Sequence, residues 1–247
     1  SCYRFSYEFS PKYAEEPIHI EFSFDINSAF QQRVFAIIGE NGVGKTQLIT
    51  ALPLDLAKRR ENLFAPQVPL YSKVIAVSTS LYDSFDVPKN SVGFNYVYCG
   101  LACGKKDNKT ILAPKELKLK LLQTTKTING RERAESLKNI LSPLYSADII
   151  SALFTIQEEK IKVNQARLVE IVDYMSSGES SLLFIFCNIV ANIRYDSLIL
   201  FDEPETHLHP NAITSLMSSI YQLLDEYQSY AIIVTHSPLI IREMRST

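Results

Sequence analysis

Residues 37–49 run IIGENGVGKTQLI, an apolar pair, three glycines, then a lysine and a threonine leading into a helix-like pattern. The preceding "RVFAII" (33–38) is composed as a buried strand, so the glycines fall between a strand and a helix. That context suits a phosphate-binding loop. Glycines let successive backbone N–H groups curl around phosphate oxygens, and the following helix start adds partial positive charge. Gly39, Glu40, Asn41, Gly42, Val43, Gly44, Lys45, Thr46 and Gln47 form the nucleotide-binding set. Lys45 bridges β- and γ-phosphates in this reading, and the Thr46 hydroxyl is a Mg2+ ligand.

A second stretch strengthens the first. "LILFDEPE" (198–205) is a hydrophobic strand ending in two adjacent carboxylates. Asp202 is placed to support Mg2+ through its water shell, and Glu203 to orient and deprotonate an attacking water. Either stretch alone has a bland alternative, a tight turn or an acidic strand end. Together they make ATP the expected ligand.

The rest of the chain organises around these two strands. "IHIEFSFDI" (18–26) alternates as a half-buried strand, while "KVIAVSTS" (73–80), "FNYVY" (94–98), "SLILF" (197–201) and "YAIIVT" (230–235) complete the strand set. A helix from Lys45 is expected to be interrupted at Pro53. From residue 104 the pattern turns helical, and 156–175 suits one or two amphipathic helices. A buried helix follows at 180–193 and a further helix at 211–227. Strands returning after each helix imply parallel pairing.

The chain has 247 residues and a formal net charge of −2, which excludes a uniformly basic nucleic-acid binder. Residues 104–170 carry 13 Lys and Arg against 8 Asp and Glu, a net +5, which leaves −7 elsewhere. This segment is a partner-binding lobe, with Lys118 and Lys120 as candidates, or a solvated helical surface. The four cysteines show no metal-binding spacing, so reduced thiols are expected. "SLLFIFCNIVANI" (181–193) is too short for a bilayer span, and no leader is evident, so a soluble cytoplasmic protein is expected. A chain that begins on Ser1 and stops soon after His236 is expected to have further residues at its ends.

"MSSGES" (175–180) begins a helix before the carboxylates, and "THSP" (235–238) closes a strand after them. In order and spacing, phosphate loop, Ser-Gly helix start, acidic strand and histidine resemble the ATP-binding-cassette (ABC) ATPases. Met175, Ser176, Ser177, Gly178 and Glu179 match that family's Leu-Ser-Gly-Gly-Gln/Glu signature with two departures, Met for Leu and Ser for the first Gly. The resemblance implies a head-to-tail homodimer in which Ser176, Ser177, Gly178 and Glu179 act in trans on the neighbour's ATP, with His236 sensing the γ-phosphate. Local alternatives stand beside it. A Ser-Gly helix start is a common N-cap, and a lone histidine is usually structural.

"DEPETHLHP" (202–210) departs from transporter cassettes. It resembles the overcoming-lysogenization-defect nucleases and related stand-alone ATPases of bacterial defence, through Glu205, His207, Leu208, His209 and Pro210. "VIAVSTSLYDSF" (74–85) and "YCGL" (98–101) are similar to the Septu and retron-associated ATPases of the PtuA type. The family's Mg2+-contacting glutamine has no clear counterpart; Ser78, Ser80 and Asp83 are the nearest polar residues. An adenine-stacking aromatic is equally open, with Tyr7, Phe9 and Tyr13 among many choices. His207 and His209 are read as a dimer contact ahead of a metal site.

The expected fold class is α/β, a P-loop ATPase of ABC type with a mostly parallel core, an N-terminal antiparallel portion and an inserted helical lobe. Residues 1–103 and 171–247 form the ATPase core and 104–170 the lobe. The expected function is Mg-ATP hydrolysis by a dimer that regulates an effector nuclease on a separate chain in anti-phage defence. The alternative is an ATP-gated DNA clamp of repair or chromosome maintenance.

Overall fold

Alternation at the N-terminus builds a small antiparallel sheet. In β1 (Tyr3–Phe9), Phe5, Tyr7 and Phe9 point inward and Arg4 and Glu8 outward. The computed structural model describes residues 3–11, 16–24, 32–39, 44–78, 95–103, 110–206 and 208–245. β1 pairs along its length with β2 (Ile18–Phe24), and at Ser6 and Tyr7 with β4 (Phe64–Ala65). Stacked rings tie the layer together, Phe5 on Phe22 at 4.9 Å and Tyr7 on Phe64 at 5.0 Å between centroids.

The central sheet has five parallel strands. β3 (Val34–Ile38), β12 (Tyr230–Thr235), β11 (Ser197–Asp202), β5 (Lys73–Ser78) and β6 (Tyr96–Tyr98) lie in that spatial order. β11 and β12 are buried at every position, as strands covered on both faces must be. The period of two divides them between two cores. Val74, Ala76, Leu198, Leu200, Ile232 and Val234 pack with the antiparallel sheet and α1 (Lys45–Ala57). Ile75, Val77, Ile199, Phe201, Ala231 and Ile233 pack with α6 (Ser177–Asn192) and α7 (Pro210–Glu226). Each such fully buried Leu or Ile stabilises the fold by about 1.5–3 kcal/mol.

The second core continues into the lobe. α2 (Pro114–Gly130), α3 (Ala134–Leu141), α4 (Ala147–Leu153) and α5 (Gln165–Val172) contribute Leu121, Ile128, Leu137, Leu153 and Leu168 to the same cluster as α6. Arg131 and Arg133, in the link between α2 and α3, donate to the last carbonyls of α6. Arg131 reaches Ala191 at 2.6 Å, and Arg133 reaches Val190 at 2.7 Å and Ile193 at 2.9 Å. Cations there satisfy orphan carbonyls and oppose the negative end of the helix dipole. A short pair, β7 (Ala102–Cys103) and β8 (Thr110–Ile111), leads into the lobe, and α8 (Pro238–Arg245) follows β12.

Two expectations are corrected. α1 is not interrupted at Pro53 but runs on to Ala57. Burial of Leu48, Ile49, Leu52 and Leu56 in one core offsets the lost backbone bond. Residues 154–163 are not helical. They form a hairpin of β9 (Phe154–Gln157) and β10 (Lys160–Val163), held from α2 by the Asn129 side chain, whose Oδ1 accepts from the Val163 amide at 2.8 Å.

Candidate ATP site

The strand order sets the site. β12 lies between β3 and β11, so Ile38 sits beside Thr235, and Asp202 sits between Val234 and Ser78. Gly39, His236 and Glu203 therefore leave neighbouring strands at one C-terminal edge. Gly44 has φ of +89°, which glycine adopts without steric cost, and it precedes α1 directly. The first turn of α1 has no acidic residue and no side-chain cap, so its N–H groups and dipole suit an anion. Lys45 is buried, and its ammonium donates to the Gly39 carbonyl across the loop. Thr46 is exposed on the same turn, beside Gln47. Glu40, Asn41, Gly42 and Val43 lie outside the described residues.

Asp202 is the buried last residue of β11. Glu203 has φ of +44°, an uncommon conformation for a side chain of its size, secured by its amide donating to the Val234 carbonyl at 2.9 Å. Its carboxylate Oε1 lies 3.0 Å from His236 Nδ1. The imidazole is about half exposed and the carboxylate one-third, so the pair faces solvent from an otherwise buried strand end. Glu205 is also buried here, and its Oε1 accepts from the Thr235 hydroxyl. That contact went unseen in the sequence, where position 205 stood out only by resemblance.

Ser176 caps α6. Its hydroxyl accepts from the Glu179 amide at 3.3 Å, and Glu179 Oε2 accepts from the Ser176 amide at 2.8 Å, a capping box. The Tyr145 hydroxyl donates to the Glu179 carbonyl at 2.7 Å. Ser176 and Ser177 are exposed and Gly178 half-buried, so the helix start is open to an outside group. Its hydrogen bonds are local and tie it to the lobe.

Other candidates are placed elsewhere in the fold or lie outside the described residues. Tyr7 is fully buried and donates to Asp55 Oδ2 at 2.7 Å, with Arg60 on Oδ1 at 3.1 Å. Burial, then the Asp55 hydrogen bond, push its hydroxyl above the usual tyrosine range. Tyr7 and the buried Phe9 are core residues and have no face for adenine. Tyr13, Ser80, Asp83 and His207 lie outside the described residues. Ser78 is buried beside Asp202 in register. His209 Nδ1 accepts from the Asn211 amide at 3.3 Å as the N-cap of α7. Among the described residues no three His, Cys, Asp or Glu side chains group as a metal site, and no helix is long and apolar enough to cross a membrane. Lys118 is not a free surface charge, because it pairs with Asp173.

The fold is the α/β fold of ABC-type P-loop ATPases, with a parallel core and an antiparallel portion. A family model described as "AAA domain, putative AbiEii toxin, Type IV TA system" matches residues 54–242. Protein ea59 of Escherichia phage lambda is 27% identical over 277 residues, covering 97% of this chain and 52% of that protein. The chain thus spans about half the length of the curated relative it matches. UvrA2 from Deinococcus radiodurans shares the fold with a TM-score of 0.50 at 10% identity, over 97% of this chain and 34% of that one. A nucleotide-free ATP-binding cassette from an ABC transporter gives 0.47 at 13% identity, over 98% and 85%.

Proposed function

The chain belongs to the AAA-domain family whose description names AbiEii, and from that membership we propose that it binds and hydrolyses Mg-ATP. What supports the reading is one arrangement: Lys45, Asp202 and the Glu203–His236 pair at a single edge of the parallel sheet, next to an uncapped helix start. The first-turn amides of α1 and Lys45 hold the phosphates. Thr46 and Asp202 are the residues that hold Mg2+. Bound there, the ion supplies positive charge to the phosphate oxygens. Glu203 orients a water and accepts its proton, and His236 offers its second ring nitrogen to the terminal phosphate. General-base assistance of this kind is worth about 10²–10⁴ in rate.

In a head-to-tail dimer, Ser176, Ser177, Gly178 and Glu179 close the site of the opposite subunit. The exposed Ser176 and Ser177 support this, since they leave the helix start open to an outside group. The dimer then governs an effector nuclease on a separate chain in anti-phage defence, a cytoplasmic role. The family description, which names a toxin of a toxin–antitoxin system, supports a place in such conflict. The test is phosphate release by the purified chain, with Glu203→Gln as comparison. Equal rates in both would sink the assignment of the base.

A second reading is an ATP-gated DNA clamp. Lys115, Lys120 and Lys126 are exposed along α2 and pair with no acidic residue among the described residues. Retention of duplex DNA at low salt, lost as salt rises, would favour the clamp.

A further inference from the structure

The edge that carries Glu203 and His236 holds a second carboxyl that the proposed reaction does not use. Glu205 is 8% exposed. Its Oε1 takes the Thr235 hydroxyl, while its Oε2 is buried without a hydrogen-bond partner among the described residues. Thr235 Oγ1 in turn accepts from the Ser237 amide at 2.9 Å. The bonds therefore run from Ser237 N–H to Thr235 O–H to Glu205, on either side of His236 in the chain.

Two backbone bonds brace the turn after β11. The Thr206 amide donates to the Glu203 carbonyl, and the Leu208 amide to the Glu205 carbonyl, each at 3.0 Å. Two glutamates of one turn thus grip two parts of another: Glu203 the imidazole of His236, Glu205 the Thr235 hydroxyl that accepts from the Ser237 amide. A buried carboxyl with an unused oxygen is an expensive way to fill space, and an apolar side chain would pack there without that cost.

We propose that Glu205 and Thr235 are positioning residues for His236. Their bond fixes the turn 235–237, so that Nδ1 of His236 stays on Glu203 and Nε2 is left for the terminal phosphate of the nucleotide. This rests on the ATPase reading above. Neither residue touches the reacting atoms. Their effect is on the rate of the chemical step, not on nucleotide affinity.

The test uses the whole chain and four variants: Thr235→Val, Thr235→Ser, Glu205→Leu and His236→Ala. Steady-state ATP hydrolysis gives kcat and KM, and binding of a fluorescent ATP analogue gives affinity directly. Thr235→Val is expected to lower kcat about 10- to 100-fold, the scale of a misplaced reacting group, with analogue affinity within about twofold of the parent. Thr235→Ser, which keeps the hydroxyl, is expected to restore most of the rate. Hydrogen exchange at the Ser237 amide gives a readout independent of turnover, and it is expected to quicken in Thr235→Val. Glu205→Leu, which removes the acceptor, serves if the valine variant does not fold; its expected signature is the same loss of kcat at unchanged affinity.

Wild-type kcat in Thr235→Val, or equal losses of affinity and rate, would overturn the positioning role. If His236→Ala is impaired while Thr235→Val and Glu205→Leu are not, only this inference fails. If the parent chain does not hydrolyse ATP, both it and the ATPase reading fall.

Discussion

Arg133 reaches from the lobe to the far end of the helix that begins at Ser176, with one guanidinium nitrogen 2.7 Å from the Val190 carbonyl and 2.9 Å from that of Ile193. Its guanidinium also lies 5.6 Å from the centre of the Tyr227 ring. Arg133→Ala leaves helix-end carbonyls unpartnered and removes a cation from the negative end of the dipole. The expected loss of stability is about 1–3 kcal/mol, read by urea denaturation. Arg133→Lys should recover only part of it, since an ammonium lacks the planar fork. A midpoint unmoved by Arg133→Ala would mean that solvent caps this helix equally well.

Nucleotide binding and turnover should separate cleanly at the site. Lys45→Ala and Asp202→Ala are expected to abolish tight Mg-ATP binding by calorimetry. Glu203→Gln keeps the shape of the site, so ATP should bind while hydrolysis slows at least about a hundredfold. Light scattering of that variant with ATP should show a dimer.

The hairpin 154–163 turns through Glu158 and Glu159, with φ of +51° and +62°. Such a turn favours Asn-Gly, because both central residues occupy the left-handed region. Glu158→Asn with Glu159→Gly should therefore stabilise the chain by about 1 kcal/mol and raise Tm by about 2–4 °C. Calorimetry decides it, and a lowered Tm would mean that the glutamates have a stabilising partner in solution.

This turn also shows where the sequence was hard to read. "QEEK" has no turn residue, and Ile161 falls seven before Leu168, a spacing that a helix also accepts, so two strands passed for helix. Pro53 misled in the opposite direction, because local propensity weighs a lost backbone bond without seeing the core that compensates it. The parallel strands were plain, since burial on both faces demands continuous apolar runs such as "YAIIVT". In the site, Gly39, Lys45, Asp202 and Glu203 were visible from their order alone. The Glu205–Thr235 contact was not, for it joins side chains thirty positions apart whose meeting depends on strand order.

Burial pushes the Cys99 and Cys187 thiols up to about 12, with Lys73 acting weakly in the opposite sense on Cys99. At pH 8 only about 1 in 10⁴ of each is thiolate. Iodoacetamide should leave both unmodified in the folded chain and label both in urea, as read by peptide mass spectrometry. Rapid labelling of either in the native protein would contradict its burial.

Charge reversal at Lys115, Lys120 and Lys126 is expected to weaken a polyanion or partner contact while leaving ATP hydrolysis within about twofold, because among the described residues these side chains make no ion pair. Lys118→Glu should behave differently, since it breaks the pair with Asp173, three residues before Ser176. Co-purification and low-salt DNA retention, measured beside turnover, separate the two effects.

Tyr145 at one end of α6 and Arg131 with Arg133 at the other make that helix a lever mounted on the lobe. Its sixteen residues span about 24 Å. A tilt of about 10° about the arginine end would carry Ser176 and Gly178 through about 4 Å, more than the length of a hydrogen bond. Small changes in the seating of the lobe are therefore enough to make or break whatever the helix start touches.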